Sequence, residues 1–138
     1  MANAQSEFFQ GVKGELPILV GVIPFGMIYG ILALGAGLSE VEAQAMSVVV
    51  FAGSAQFMLV QLLGAGTPAL VMILTGFVIN LRHALYSASI APNIKKLSPL
   101  WKTFLAYLLT DEAYAVAITH YYKRDASPFK HWYFLGAG

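Results

Sequence analysis

Hydrophobic residues follow one another in stretches of twenty or more, with polar residues gathered between them, and runs of that length match what a bilayer crossing requires. Leu16–Leu38 carries no charge over 23 residues. Between Glu42 and Arg82 another 39 residues are uncharged, too many for one crossing, and Gly64-Ala65-Gly66-Thr67-Pro68 divides them with a strong turn signal. The pattern predicts spans at about 16–38, 43–63, 68–90 and 103–122. Pro68 suits a helix start, where its missing N–H would be unpaired anyway. The third span has to run through Arg82 to about Ile90, since a helix ending at Asn80 would be only about 18 Å long at 1.5 Å per residue. Ala91–Lys102, with Pro92, Asn93 and Pro99, reads as a loop, and Trp101 as an interface anchor. Met1–Glu15, with Phe8, Phe9 and Val12 among polar groups, reads as a short interfacial helix. Residues 131–138 turn apolar again and read as the start of a fifth span that is cut short. The expected architecture is all-α: a polytopic transmembrane helical bundle of four complete spans with kinked or broken helices, the fifth truncated, in a single membrane domain over 1–138.

Composition supports the membrane reading and removes several alternatives. Hydrophobic residues make up 58% of the chain and charged residues 11%, against about a quarter charged in a soluble domain. The net charge is +1 with no run of like charges, so no nucleic-acid surface is expected. Cysteine is absent, which excludes disulfides, thiolate metal sites and cysteine nucleophiles. The first apolar run exceeds the roughly 7–15 residues of a signal-peptide core and should remain in the mature protein. Lys13, Lys123, Arg124 and Lys130 on the N-terminal side outnumber Lys95, Lys96 and Lys102 opposite, which favours a cytoplasmic N-terminus.

Two charged clusters stand out because each ionisable group at mid-bilayer costs roughly 2.5–3.5 kcal/mol on an insertion scale. Asn80, Arg82 and His83 fall in the third run, Asp111 and Glu112 in the fourth. On continuous helices Thr75, Arg82, Tyr86 and Ser89 share one stripe, with His83 and Ser87 beside it. Tyr107, Asp111 and Tyr114 share another, with Glu112 about 100° away. Antiparallel neighbours would bring Arg82 and Asp111 to similar depth, either as an ion pair that only locks two helices or as the lining of a polar path. The surplus of polar neighbours favours a path. Asp111, Glu112 and His83 are the candidate proton carriers, because burial and a nearby guanidinium act on a carboxyl group in opposite directions.

Ile23-Pro24-Phe25-Gly26 predicts a kink or break in the first span. Gly26 and Gly30 also fit close helix packing. Phe51-Ala52-Gly53-Ser54-Ala55-Gln56 places small residues beside two polar side chains in the second span, and broken helices of this kind bind carboxylates and ions in secondary transporters. The candidate substrate-binding set is therefore Arg82, Asn80, Ser54, Gln56, Phe25, Gly26, Phe51 and Gly53, with Phe57 as a further wall of an apolar pocket. Gly53-Ser54 lacks the G-x-S-x-G frame and no H-x-x-x-H spacing occurs, so neither an enzyme, a metal site nor a cofactor is expected.

Pro24-Phe25-Gly26, Phe51 to Phe57, Asn80-Leu81-Arg82-His83-Ala84-Leu85-Tyr86-Ser87-Ala88-Ser89 and Leu109-Thr110-Asp111-Glu112 occur in this order. Together they resemble the AzlC family of branched-chain amino-acid permeases, from about Phe8 onward. The resemblance implies export of leucine, isoleucine and valine through a bacterial cytoplasmic membrane, drawing on the proton gradient and working with a small AzlD-type membrane subunit. Members of that family are longer, with further spans beyond the point where this chain stops. The alternative is a non-transporting scaffold or regulatory subunit whose intramembrane charges pair with a partner chain.

Overall fold

The computed structural model describes residues 3–123 and 127–138, and every regular element among them is a helix. Arg124, counted above with the basic residues of the N-terminal side, lies outside the described residues. The order is α1 (Ala4–Gly35), α2 (Glu40–Val49), α3 (Gly53–Gly64), α4 (Ala69–Asn80), α5 (Arg82–Ile94), α6 (Pro99–Tyr107), α7 (Asp111–Lys123) and α8 (Lys130–Ala137).

α1 is one helix of 32 residues, so neither a separate N-terminal helix nor a break at Pro24 is present. Pro17 and Pro24 each remove one backbone donor, too few to end a ladder of that length. The runs at 43–63 and 103–122, expected as single spans, are each two shorter helices. Three β-branched residues, Val48 to Val50, weaken the end of α2, and Phe51 then takes φ 54, a left-handed conformation that costs a bulky residue roughly 1–3 kcal/mol. Ala52 is extended and α3 restarts at Gly53. In the fourth run the Thr110 hydroxyl accepts from the Ala113 N–H at 3.1 Å, giving α7 its own start. The third run is interrupted at Leu81 alone, whose N–H is shared between the carbonyls of Phe77 and Val78.

Two helical runs, Ala4–Gly35 and Ala69–Ile94 across Leu81, are long and apolar enough to cross a membrane. Their side chains are largely uncovered: Val20 is 72% exposed and Ile73 67%. Such surfaces suit lipid rather than water. The expected loop at 91–102 contracts to four residues, because α5 continues through Pro92 to Ile94 and Ser98 caps α6 just ahead of Pro99.

The chain divides into two compact units, one of Gly21–Arg82 and one of the chain as far as Val20 with His83–Gly138. In the first, α3 packs on α4, and Tyr29, Ala33, Ala43 and Val60 form the core. Ser39 and Glu42 form a reciprocal capping box at the start of α2. The Ser39 N–H and hydroxyl hold the Glu42 carboxyl below its ordinary range. In the second unit α8 packs on α6 and α7 around Ile90, Leu105, Leu109, Ala113, Ala117, Tyr121 and Phe134.

Candidate functional site

In the Gly21–Arg82 unit the break at Phe51 organises the polar groups. Ala52 offers no side-chain acceptor to the first turn of α3, leaving its leading N–H groups directed at the break. The Phe25 ring covers Gly53 so closely that an added Cβ would lie 2.6 Å from its Cε1, and the same ring packs on Phe57 at 4.3 Å. Gln56 is buried and donates to Ser47 Oγ at 2.8 Å. Ser47 and Tyr29 both donate to the Ala43 carbonyl, at 3.4 and 2.9 Å. This chain ties α1, α2 and α3 together around the interruption. Ser54 is exposed, and an added Cβ at Gly26 or Gly30 meets open space, so the close packing expected at this glycine pair does not occur among the described residues.

A cavity of about 480 Å³ lies beside the break, walled by Leu38, Met46, Val50, Leu59, Met72 and Gly76, with Asn80 also in its lining. Its lining is almost wholly apolar, and its size falls within the roughly 300–1,000 Å³ of small-molecule sites. Arg82, half-buried, follows at the start of α5.

His83, Asp111 and Glu112 belong to the second unit. Both carboxylates sit in the first turn of α7, where the helix dipole favours negative charge. Thr110 and Ala113 fix that turn, so Thr110→Ala should lower stability by about 1 kcal/mol while Thr110→Ser should not. Thermal melting of the detergent-solubilised variants measures the difference. Tyr86 stacks on Tyr114 at 4.3 Å, His83 meets Tyr86 edge-on at 5.8 Å, and the Tyr114 hydroxyl donates to Ser89 Oγ at 3.0 Å. Tyr86, Ser89 and Tyr114, placed on the two stripes by their helical spacing, thus join α5 to α7.

A second polar cluster in this unit was not singled out from sequence. Glu7, 1% exposed, meets His120 Nε2 at 3.0 Å through one carboxylate oxygen and accepts from Ser127 Oγ at 2.9 Å through the other. His120 stacks on Tyr133 at 3.6 Å. Glu7 and Glu15 flank Gly11 at four-residue intervals, which puts them on one face of α1. That acidic stripe is the signal that could have marked the first helix; nothing local marks His120, 113 positions away. Among the described residues no group of three or more His, Asp or Glu is placed to hold a metal ion.

Residues 17–138 match the family described as AzlC protein. The chain is 31% identical to the inner membrane protein YgaZ of Escherichia coli (strain K12) over 132 residues, 95% of this chain and 54% of that protein. It is 37% identical over 111 residues to an uncharacterized membrane protein of Archaeoglobus fulgidus, covering 80% of this chain and 48% of that one. With the branched-chain amino acid transport protein AzlC of Bacillus subtilis (strain 168) it shares 31% over 105 residues, 75% of this chain and 41% of the relative. The chain therefore spans about half the length of the curated relatives it matches. No solved structure matches it. With a family match over most of its length and relatives that are membrane proteins, one of them named for branched-chain amino-acid transport, the chain belongs to the AzlC protein family.

Proposed function

We propose that this chain is part of a multi-pass permease that exports branched-chain and other hydrophobic amino acids across a bacterial cytoplasmic membrane, coupled to protons and assisted by a small AzlD-type subunit. The observation that carries the reading is the coincidence of helix interruptions with polar motifs: Phe51 precedes Gly53-Ser54-Ala55-Gln56, Leu81 lies between Asn80 and Arg82, and α7 restarts at Asp111. Irregular backbone is expensive in lipid and is found where it lines a cavity or a ligand path. Arg82 takes the substrate carboxylate, for which a guanidinium fork is suited. The apolar cavity bordered by Asn80 takes the aliphatic side chain. Neighbouring substrates differing by one methylene are then separated by only about 1–3 kcal/mol, so selectivity is broad. Asp111, with the adjacent Glu112 and with His83, exchanges the coupling proton.

The test is leucine efflux from vesicles containing the full-length protein with its small subunit, at several pH values. Asp111→Asn is expected to abolish the pH dependence. Unchanged rate and pH dependence would remove Asp111 from the proton path. Facilitated flux without uphill movement would indicate a channel, and flux independent of this chain would indicate a scaffold.

A further inference from the structure

We infer that Glu7 and His120 form a proton-exchange site at the N-terminal edge of the first apolar run, separate from Asp111; this rests on the permease reading and adds to it a place where protons enter or leave. α1 is continuous, so Glu7 lies about 13 Å ahead of Leu16 along its axis, near the edge of that apolar run.

A carboxylate with 1% exposure is costly unless its charge is neutralised. The groups around it are built for that purpose. Ser127 occupies one oxygen and the imidazole the other, at 2.9 and 3.0 Å, so among the described residues the ring is placed to complete the neutralisation by taking up a proton. His120 also lines a cavity of about 380 Å³ with Gly14, Val116, Thr119, Lys123 and Tyr133. That cavity gives a proton donor in solution a route to the ring.

In the uptake step a hydronium ion or buffer acid in the cavity gives its proton to the neutral imidazole. Glu7 stays a carboxylate, and the pair passes from one net negative charge to zero; release runs in reverse. Titratable and charged groups on three helices surround the pair. On α1, Glu15 is buried and within electrostatic reach of Tyr133 and of Glu112 on α7. On α7, Tyr121 lies within electrostatic reach of Glu7 and donates to the Lys130 carbonyl, and Lys123 lines the cavity. On α8, Tyr133 stacks on the ring and Lys130 directs its ammonium to Asn93 Oδ1 at 3.0 Å. Proton loss therefore leaves a buried negative charge at the junction of α1, α7 and α8.

A purely structural clamp and a proton site differ in their pH behaviour. In the full-length protein with selectively labelled histidine, the ring resonances of His120, assigned by their loss in His120→Gln, are expected to titrate between about pH 5 and 8. Glu7→Gln should displace the midpoint by about one pH unit or more, since the variant removes the opposite charge while keeping the shape. In vesicles, Glu7→Gln should reduce the pH dependence of leucine flux at least about tenfold over that interval, with a melting temperature near wild type. A ring that does not titrate, or a midpoint and flux profile unmoved by Glu7→Gln, overturns the inference. Absence of leucine flux in the wild type overturns the permease reading instead and leaves the titration to decide this site.

Discussion

Gly136→Ala and Gly11→Ala are expected to separate α8 from α1. An added Cβ at Gly136 would run into the Phe8 carbonyl, and one at Gly11 into the Tyr133 carbonyl and within 3.0 Å of the Ala137 nitrogen. All of these are backbone atoms, which no rotamer change can move aside. In a soluble core, overpacking of this kind costs about 1–3 kcal/mol, and a backbone obstacle belongs at or beyond the upper end. The intrinsic gain of alanine over glycine inside a helix, about 1 kcal/mol, offsets only part of it. Gly21 supplies the control on the same helix, because an added Cβ there meets nothing within 4 Å. Gly21→Ala should therefore be neutral or stabilising by up to about 1 kcal/mol. Melting of the three variants in detergent checks the sign. If Gly136→Ala melts no lower than Gly21→Ala, the backbone contact between α1 and α8 is wrong.

Arg82→Lys should weaken apparent leucine affinity at least about tenfold, although the positive charge is kept. The difference is geometric: a guanidinium presents two parallel donors to a carboxylate, and an ammonium presents a point charge. Losing one hydrogen bond to a charged group is worth about 1.5–3 kcal/mol, or roughly a ten- to hundredfold change. Arg82→Gln removes the charge as well and should abolish saturable efflux. The comparison is made on leucine and on a leucine ester lacking the carboxylate. If Arg82→Lys leaves leucine affinity unchanged, or weakens leucine and ester alike, the residue does not hold the carboxylate.

Much of the helical content was legible in the sequence because apolar length speaks directly. Among the described residues Ala4–Gly35 and Ala69–Ile94 are long and apolar enough to cross a membrane; the sequence marks them more narrowly, at 16–38 and 68–90, from uncharged length and from Pro68 as a start. The aromatic and hydroxyl residues Tyr86, Ser89 and Tyr114 were selected from their helical spacing, and they do meet. One expected interruption failed and another held. Proline is the usual helix breaker, yet the chain runs through Pro24 as one helix, whereas the stretch from Phe51 to Gln56, read from its small and polar residues as a broken helix, does break, with Phe51 itself in the left-handed conformation. Thr110 as a helix cap inside an apolar run was silent, since the same residue in a continuous helix bonds back to its own turn.

By itself the sequence determined that this chain is helical, rich in bilayer-length apolar runs, and supplied with charges in places that burial makes costly, because composition and period act locally and leave their mark residue by residue. The tertiary structure alone decided which distant residues share a site. Glu7 and His120 are brought together by the packing of α1 against α7 and α8, and that packing depends on Gly11 and Gly136 letting two backbones touch. Such a pairing carries no periodic signature, since it arises from the energy of closing space between helices and not from any preference of either segment.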